Sequence, residues 1–343
     1  MAAIGVIHGT RQGRRKTPLE DAYDQFRLER QGNGVSPATL KAYDYHLEGL
    51  FAWLARERPQ VRMPDDLGID VLRAYRAELA TRTGHHGRPL AAETLQDSHA
   101  SLRAFFRWAE TEGYQIDARI LKLPRIRVPD KEPTVYHITQ LRQILAACNL
   151  SFPQQEMAVR ILVGSGVRRS ELCGLAIEGP DGLPDLMLDS IERGRIELRV
   201  RWNAGAKGRK SRRVPISPKL AAAIKRYLAK LRPNVATPQL LVNLRGQAYD
   251  SWGVDTMLDH LQARTGFRIH AHAFRHTFAT VACQMDWNFE RLRAAMGHAD
   301  YNMLQKYVKL ATERDLGKLT DWAEFILAPP GLADRGKINR DWI

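Results

Sequence analysis

The chain has 343 residues, 44% of them hydrophobic, with 52 Lys+Arg against 38 Asp+Glu, a net charge of +14 and a sequence pI near 9.9. Its length and apolar content suffice for roughly two domains with cores, and the surplus of positive charge points to a polyanionic partner. No apolar run reaches the roughly 18 residues of a membrane span, and the first residues carry no basic n-region before an apolar stretch, which argues against a secretory signal.

Residues 1–16 hold Arg11, Arg14, Arg15 and Lys16 without an acid. They read as a basic tail, either solvated or following a nucleic-acid backbone. Order is expected to begin at Thr17-Pro18-Leu19-Glu20, a capping box with proline at the first helical position. Ser36-Pro37 opens a longer helix on which Leu40, Tyr43, Leu47, Leu50, Phe51 and Leu54 recur at three- and four-residue steps. Further helices run through Val71, Leu72, Tyr75 and Leu79, and through Leu95, Leu102, Phe105, Phe106 and Ala109 up to Gly113. Residues 17–123 therefore read as an all-helical domain.

Residues 124–133, with prolines at 124, 129 and 133 and basic Arg125, Arg127 and Lys131, read as an extended interdomain linker. The second domain is expected over residues 134–327. Helices are predicted around Thr139–Cys148 and Gln154–Val163, followed by Gly164-Ser165-Gly166 and a helix carrying Arg168. Ile196, Leu198, Val200 and Trp202 alternate with polar residues, so Arg195–Trp202 and Arg212–Ile216 read as a strand pair around a Gly-containing turn at Asn203–Lys210. Helices follow at Ala273–Met285, Asn288–Met296 and Met303–Leu310. Leu316, Leu319, Trp322, Ala323, Phe325 and Ile326 form a last amphipathic stretch, and residues 328–343 read as a polar tail. The fold class is mainly α with a small β-sheet.

Six residues carry the chemistry: Arg168, Lys207, His272, Arg275, His298 and Tyr307. Two guanidinium groups match the non-bridging oxygens of a phosphodiester and stay charged at any working pH. A lysine and histidines can move protons, and a phenol can attack phosphorus once its proton is lost. Together they make a metal-free phosphoryl-transfer set. Cys148, Cys173 and Cys283 are far apart in apolar surroundings and read as reduced thiols of a cytoplasmic protein. Neither a Walker-type loop nor a His-Glu-x-x-His or paired Cys-x-x-Cys motif is present, so no nucleotide or metal cofactor is expected.

Gly166-Val-Arg168-Arg-Ser-Glu171-Leu172, His272-Ala-Phe-Arg275-His and Met296-Gly297-His298, with Tyr307 nine residues after His298, resemble in order and spacing the boxes of the tyrosine recombinases. That family includes phage integrases, Xer-type resolvases and Cre. Over about residues 20–325 the resemblance implies a helical SAM-like core-binding domain followed by a recombinase catalytic domain. It implies Tyr307 as nucleophile forming a 3′-phosphotyrosine, Arg168 and Arg275 as phosphate clamp, His272 as general base and His298 as a donor to the phosphate. Lys207, or nearby Lys210, would protonate the leaving 5′-oxygen. Glu171 reads as support for its box, His276 as structural, and Tyr301 as the rival nucleophile. The sequence departs from the pattern with Ala206 before the lysine, Ser165 where threonine is common and Arg169 where an apolar residue is usual.

The expected partner is double-stranded DNA, contacted by Arg125, Arg127, Lys131, Arg209, Lys210 and Arg212. The chain is expected to be a monomer in solution and a homo-tetramer on paired sites, as recombination between two duplexes requires; integration, excision, resolution and inversion all fit the sequence. The stretch from Leu316 to Ile326 either closes its own domain or docks on a neighbour as an exchange helix. Two rival readings are a type IB topoisomerase-like relaxase and an inactive architectural DNA-binding protein.

Overall fold

The computed structural model describes residues 16–84, 87–129, 131–187, 196–201, 211–297 and 301–326, with the backbone alone at 301–303. The chain divides into two compact units, Met1–Lys131 and Glu132–Ile343.

The first unit is helical: α1 (Pro18–Gly32), α2 (Pro37–Glu57), α3 (Ile69–Thr81), α4 (Ala92–Thr111) and the short α5 (Ala118–Leu121). The start signals act as the sequence implies. Thr17 and Glu20 satisfy each other's backbone N–H groups at 3.3 and 2.7 Å, and Ser36 accepts from Thr39 N at 3.2 Å. Phe26, Phe51, Phe105, Phe106, Trp53 and Trp108 fill the core between α1, α2 and α4. Burial of each such ring stabilises the unit by about 1.5–3 kcal/mol.

The second unit contains α6 (Ile138–Ala146), α7 (Pro153–Ser165), α8 (Arg169–Gly174), β1 (Leu186–Met187), β2 (Glu197–Val200), β3 (Arg212–Pro215), α9 (Pro218–Lys230), α10 (Ser251–Thr265), α11 (Ala271–Gln284), α12 (Phe289–Met296), α13 (Tyr301–Glu313) and α14 (Leu319–Trp322). The strands form one antiparallel sheet in the order β1-β2-β3, with Leu198 opposite Val214 and Leu186 opposite Leu198. The β2–β3 pair matches the alternation in the sequence; the two-residue β1 has too little pattern to be read there. The turn at 203–210 lies outside the described residues.

α11 is the axis of this unit. Ala273, Phe274, Thr277, Phe278, Ala279, Thr280, Val281 and Ala282 are buried on all its sides, and α7 and α13 pack against it. Its threonines satisfy their hydroxyls locally: Thr277 donates to Ala273 O at 2.8 Å while accepting from Tyr136 N at 2.8 Å.

The stretch after Leu316 is committed to its own unit. Leu316, Trp322, Phe325 and Ile326 are buried in the same core as α11, and the Trp322 indole donates to Leu316 O at 3.0 Å. Of the two readings of Leu316–Ile326, this packing favours the one in which the stretch closes its own domain.

Candidate active site

The centre is organised by three consecutive carbonyls at the end of α12. The last carbonyls of a helix have no partner within it and carry the negative end of the helix dipole. Here each meets an arginine: Ala295 O accepts from Arg212 Nε at 2.7 Å, Met296 O from Arg275 Nη2, and Gly297 O from Arg168 Nη2 at 3.1 Å. Gly297 ends the helix at φ 61°, and a Cβ there would lie 3.1 Å from the Arg212 side chain. The Met-Gly-His box thus gathers the arginines from the positions just before His298.

Glu171 is the counter-charge beneath them. Fully buried, it accepts from Arg168 N at 2.7 Å, Arg168 Nη1 at 2.8 Å, and Arg212 Nη1 and Nη2 at 2.8 and 2.7 Å. Burial opposes its charge, but the Arg212 fork and then Arg168 outweigh it and hold the carboxyl at about 2. Glu171 supports its box, as expected. The reading of Arg212 as a DNA contact is corrected: its guanidinium is turned inward onto Glu171 and Ala295. Period-two alternation places Arg212 on the face of buried Val214, and that was the signal for an inward arginine.

Arg275 is only 3% exposed and donates Nη1 to Gly166 O at 2.6 Å. Burial, and then the like charge of Arg168, push its guanidinium down to about 9, so it remains cationic at neutral pH. Gly166 makes this approach possible. It ends α7 at φ 60°, and a Cβ there would sit 2.4 Å from the Phe278 ring.

Tyr307, on α13, is 1% exposed, and its hydroxyl lies 3.0 Å from His276 Nδ1. Burial raises the phenol above its ordinary value, partly offset by Arg275 and Arg168. His276 itself is pushed down to about 4 by burial and then by His272, His270 and Arg275, so it meets the phenol as a neutral imidazole. The sequence reads His276 as structural; its contact with the Tyr307 hydroxyl is what that reading misses. His272 stands one turn earlier on α11, its ring stacked 6.2 Å from that of His276. Partial burial, and then Arg275, Arg169 and Arg168, hold His272 below its ordinary value.

The structure brings Arg168, Arg275, His272 and Tyr307 into one unit around α11. Lys207, Arg209, Lys210 and His298, and the Tyr301 side chain, lie outside the described residues. In the first unit Arg125 and Arg127 are exposed, and Lys131 pairs with Glu93 at 2.6 Å. The three cysteines are free. Among the described residues, no group of three His, Cys, Asp or Glu could hold a metal, and no helix is long and apolar enough to cross a membrane.

Residues 136–314 match the model of the phage integrase family, and residues 24–113 match that of the phage integrase N-terminal SAM-like domain. The chain is 29% identical over 308 residues to tyrosine recombinase XerC of Pelobacter propionicus, covering 87% of this chain and 93% of the relative. It is 26% identical over 309 residues to tyrosine recombinase XerA of Thermococcus kodakarensis, covering 89% and 96%. Among solved structures it is similar to a lambda integrase dimer bound to a core site, at TM-score 0.66, 15% identity and coverage of 88% and 98%. It is also similar to the Tn1549 transposon integrase in complex with circular intermediate DNA, at TM-score 0.62, 20% identity and coverage of 88% and 100%. At these identities the structural likeness establishes the fold.

Proposed function

The chain belongs to the phage integrase family, and from that premise we propose that it is a site-specific DNA recombinase that cuts and rejoins duplex DNA through a 3′-phosphotyrosine. The observation that carries the reading is the pair Arg168 and Arg275, fixed on the α12 carbonyls in the same unit as a buried tyrosine. Such a pair offers preorganised positive charge where a phosphodiester develops negative charge under attack.

In the cleavage step a bond forms between Tyr307 Oη and phosphorus while the bond from phosphorus to the 5′-oxygen breaks. The phenolic proton passes to His272, which is neutral and able to receive it, and Lys207 supplies a proton to the leaving 5′-oxygen. His298 donates to the phosphate. The phosphodiester energy is kept in the tyrosyl ester, so the free 5′-hydroxyl of a second strand reverses the reaction without a nucleotide cofactor. Because the Tyr307 hydroxyl rests on His276, the step includes a movement of that side chain toward the phosphate.

Double-stranded DNA is the substrate. Exchange between two duplexes needs four tyrosines, so the working assembly is a tetramer on paired sites built by monomers, in the cytoplasm. The test is incubation with nicked duplexes of randomised sequence, followed by denaturing electrophoresis. A covalent protein–DNA adduct is expected from the wild type; its absence across the library would leave an architectural DNA-binding protein. Efficient relaxation of supercoiled plasmid by a monomer, with no strand exchange, would favour the topoisomerase-like reading.

A further inference from the structure

Tyr307 stands on a helix whose far end is held by one side chain of α11. His276, Thr280 and Gln284 follow one another at four-residue steps on α11, so they share one face of it. Tyr307, Ala311 and Arg314 do the same along α13 and just past its end. The His276 imidazole meets the Tyr307 hydroxyl at 3.0 Å. About two turns further on, Gln284 Nε2 donates to Ala311 O at 3.1 Å and to Arg314 O at 2.9 Å. Residue numbers rise together along both helices, so α11 and α13 pack side by side in the same direction. Between the two contacts Thr280 turns its hydroxyl back onto His276 O at 2.9 Å.

The last carbonyls of a helix have no partner within it. Gln284 satisfies one of them at Ala311 and another just past the helix at Arg314. Its own carbonyl gains nothing from this: among the described residues, buried Gln284 Oε1 has no hydrogen-bond partner. Turning the amide over would set that oxygen against two other carbonyl oxygens. A buried polar atom left unpaired disfavours folding, so an apolar side chain of similar length would serve packing better. What the amide alone provides is a pair of donors on the helix of Tyr307. Beyond it the chain is fastened again. Leu316 O accepts from Ile138 N and from the Trp322 indole, each at 3.0 Å, and Arg314 pairs with Glu132.

We propose that Gln284 is a positioning residue for cleavage: it fixes the exit of α13 on α11 and so sets where the Tyr307 hydroxyl lies relative to Arg168 and Arg275. The inference rests on the recombinase reading given above and deepens it. Arg275 is on α11 with Gln284, so the amide ties the helix of the proposed nucleophile to the helix that carries half of the clamp. Tyr307 leaves His276 to reach the phosphate. With the end of α13 held one turn away, that travel is a rotation of the side chain and not a slide of the helix. Attack at phosphorus tolerates little error, and a displacement of about 1 Å suffices to lower the rate about a hundredfold.

The experiment is single-turnover cleavage of nicked duplex DNA by the full chain at saturating protein, beside DNA affinity from fluorescence anisotropy and thermal melts. Gln284→Leu removes both donors and the unpaired oxygen. Its adduct formation should slow by about tenfold to a hundredfold while affinity stays within about twofold, and its melting temperature should hold or rise. Gln284→Lys returns a donor able to reach the last carbonyls of a helix and should recover most of the rate. Gln284→Glu, of the same shape but without the donors at pH 8, should be as slow as Gln284→Leu. Hydrogen–deuterium exchange over residues 304–316 reads the clasp without any chemistry, and should be faster in Gln284→Leu with α12 unchanged. Wild-type cleavage rates in Gln284→Leu would overturn the assignment. A rate lost together with stability and not restored in Gln284→Lys would do so too, as would unchanged exchange. A wild type that forms no adduct would sink the recombinase reading, and exchange would still decide the clasp.

Discussion

Arg168 and Arg275 are held by carbonyls and a carboxylate that belong to the fold, whereas the Tyr307 hydroxyl rests on the neutral imidazole of His276, away from solvent. The clamp is therefore assembled before any substrate arrives. Its geometry is set by α12 ending at Gly297, by α7 ending at Gly166, and by Glu171 fixed between Arg168 and Arg212. Tyr307, the proposed nucleophile, is held in the core and must leave a hydrogen bond to act. Electrostatic stabilisation works best when its donors need no reorganisation.

The largest effect should come from the nucleophile itself. Tyr307→Phe keeps the buried ring and is expected to leave DNA affinity within about twofold while abolishing the adduct, as read on denaturing gels. Next comes the clamp. Arg275→Ala should lose on the order of 3 kcal/mol of transition-state stabilisation, about a hundredfold in cleavage rate, as for a removed oxyanion donor. A comparable loss in Arg212→Ala, with folding intact, would show that the inward arginine belongs to the clamp directly rather than through Glu171.

Stability gives a sharper reading of the clamp than rate does. Gly166→Ala demands a left-handed residue facing the Phe278 ring and should cost about 2–4 kcal/mol in denaturant titrations. Glu171 has a folded pKa below its ordinary value, so its contribution is present above about pH 4.5 and fades as pH falls toward 2. Glu171→Gln should flatten that acid limb and destabilise the protein by about 3 kcal/mol at neutral pH, because two arginines lose their counter-charge. Thermal melts from pH 3 to 7 measure both.

The smallest effect belongs to the stored nucleophile. Removing one hydrogen bond from the resting state, worth about 1 kcal/mol, should let His276→Ala form adduct up to about fivefold faster in single-turnover assays. Since His276 stays neutral above about pH 4, this gain should be the same at pH 6 and pH 8. A strong slowing instead would mean that His276 takes part in attack.

The sequence was most readable where the physics is local. Helix starts at Thr17 and Ser36, the apolar periodicity of α2 and α4, and the alternation of β2 and β3 are all set by near neighbours. The order and spacing of the arginine, histidine and tyrosine boxes were equally plain. The hidden features depend on distant backbone. Nothing in the sequence around the Met-Gly-His box announces that the carbonyls of Ala295, Met296 and Gly297 collect three arginines, from β3, α11 and the start of α8. Of the histidines at 270, 272 and 276, only the packing of α13 on α11 decides which meets Tyr307. An amphipathic pattern after Leu316 shows that a face will be covered, without saying by which chain.

The most direct test is to map the adduct. Wild-type protein is trapped on nicked duplex DNA and digested with protease and nuclease, and the nucleotide-bearing peptide is sequenced by mass spectrometry. The expected result is a 3′-phosphonucleotide on Tyr307, absent from Tyr307→Phe and strongly reduced in Arg275→Ala. An adduct on Tyr301, or one that forms equally well without Arg275, would contradict the assignment of nucleophile and clamp.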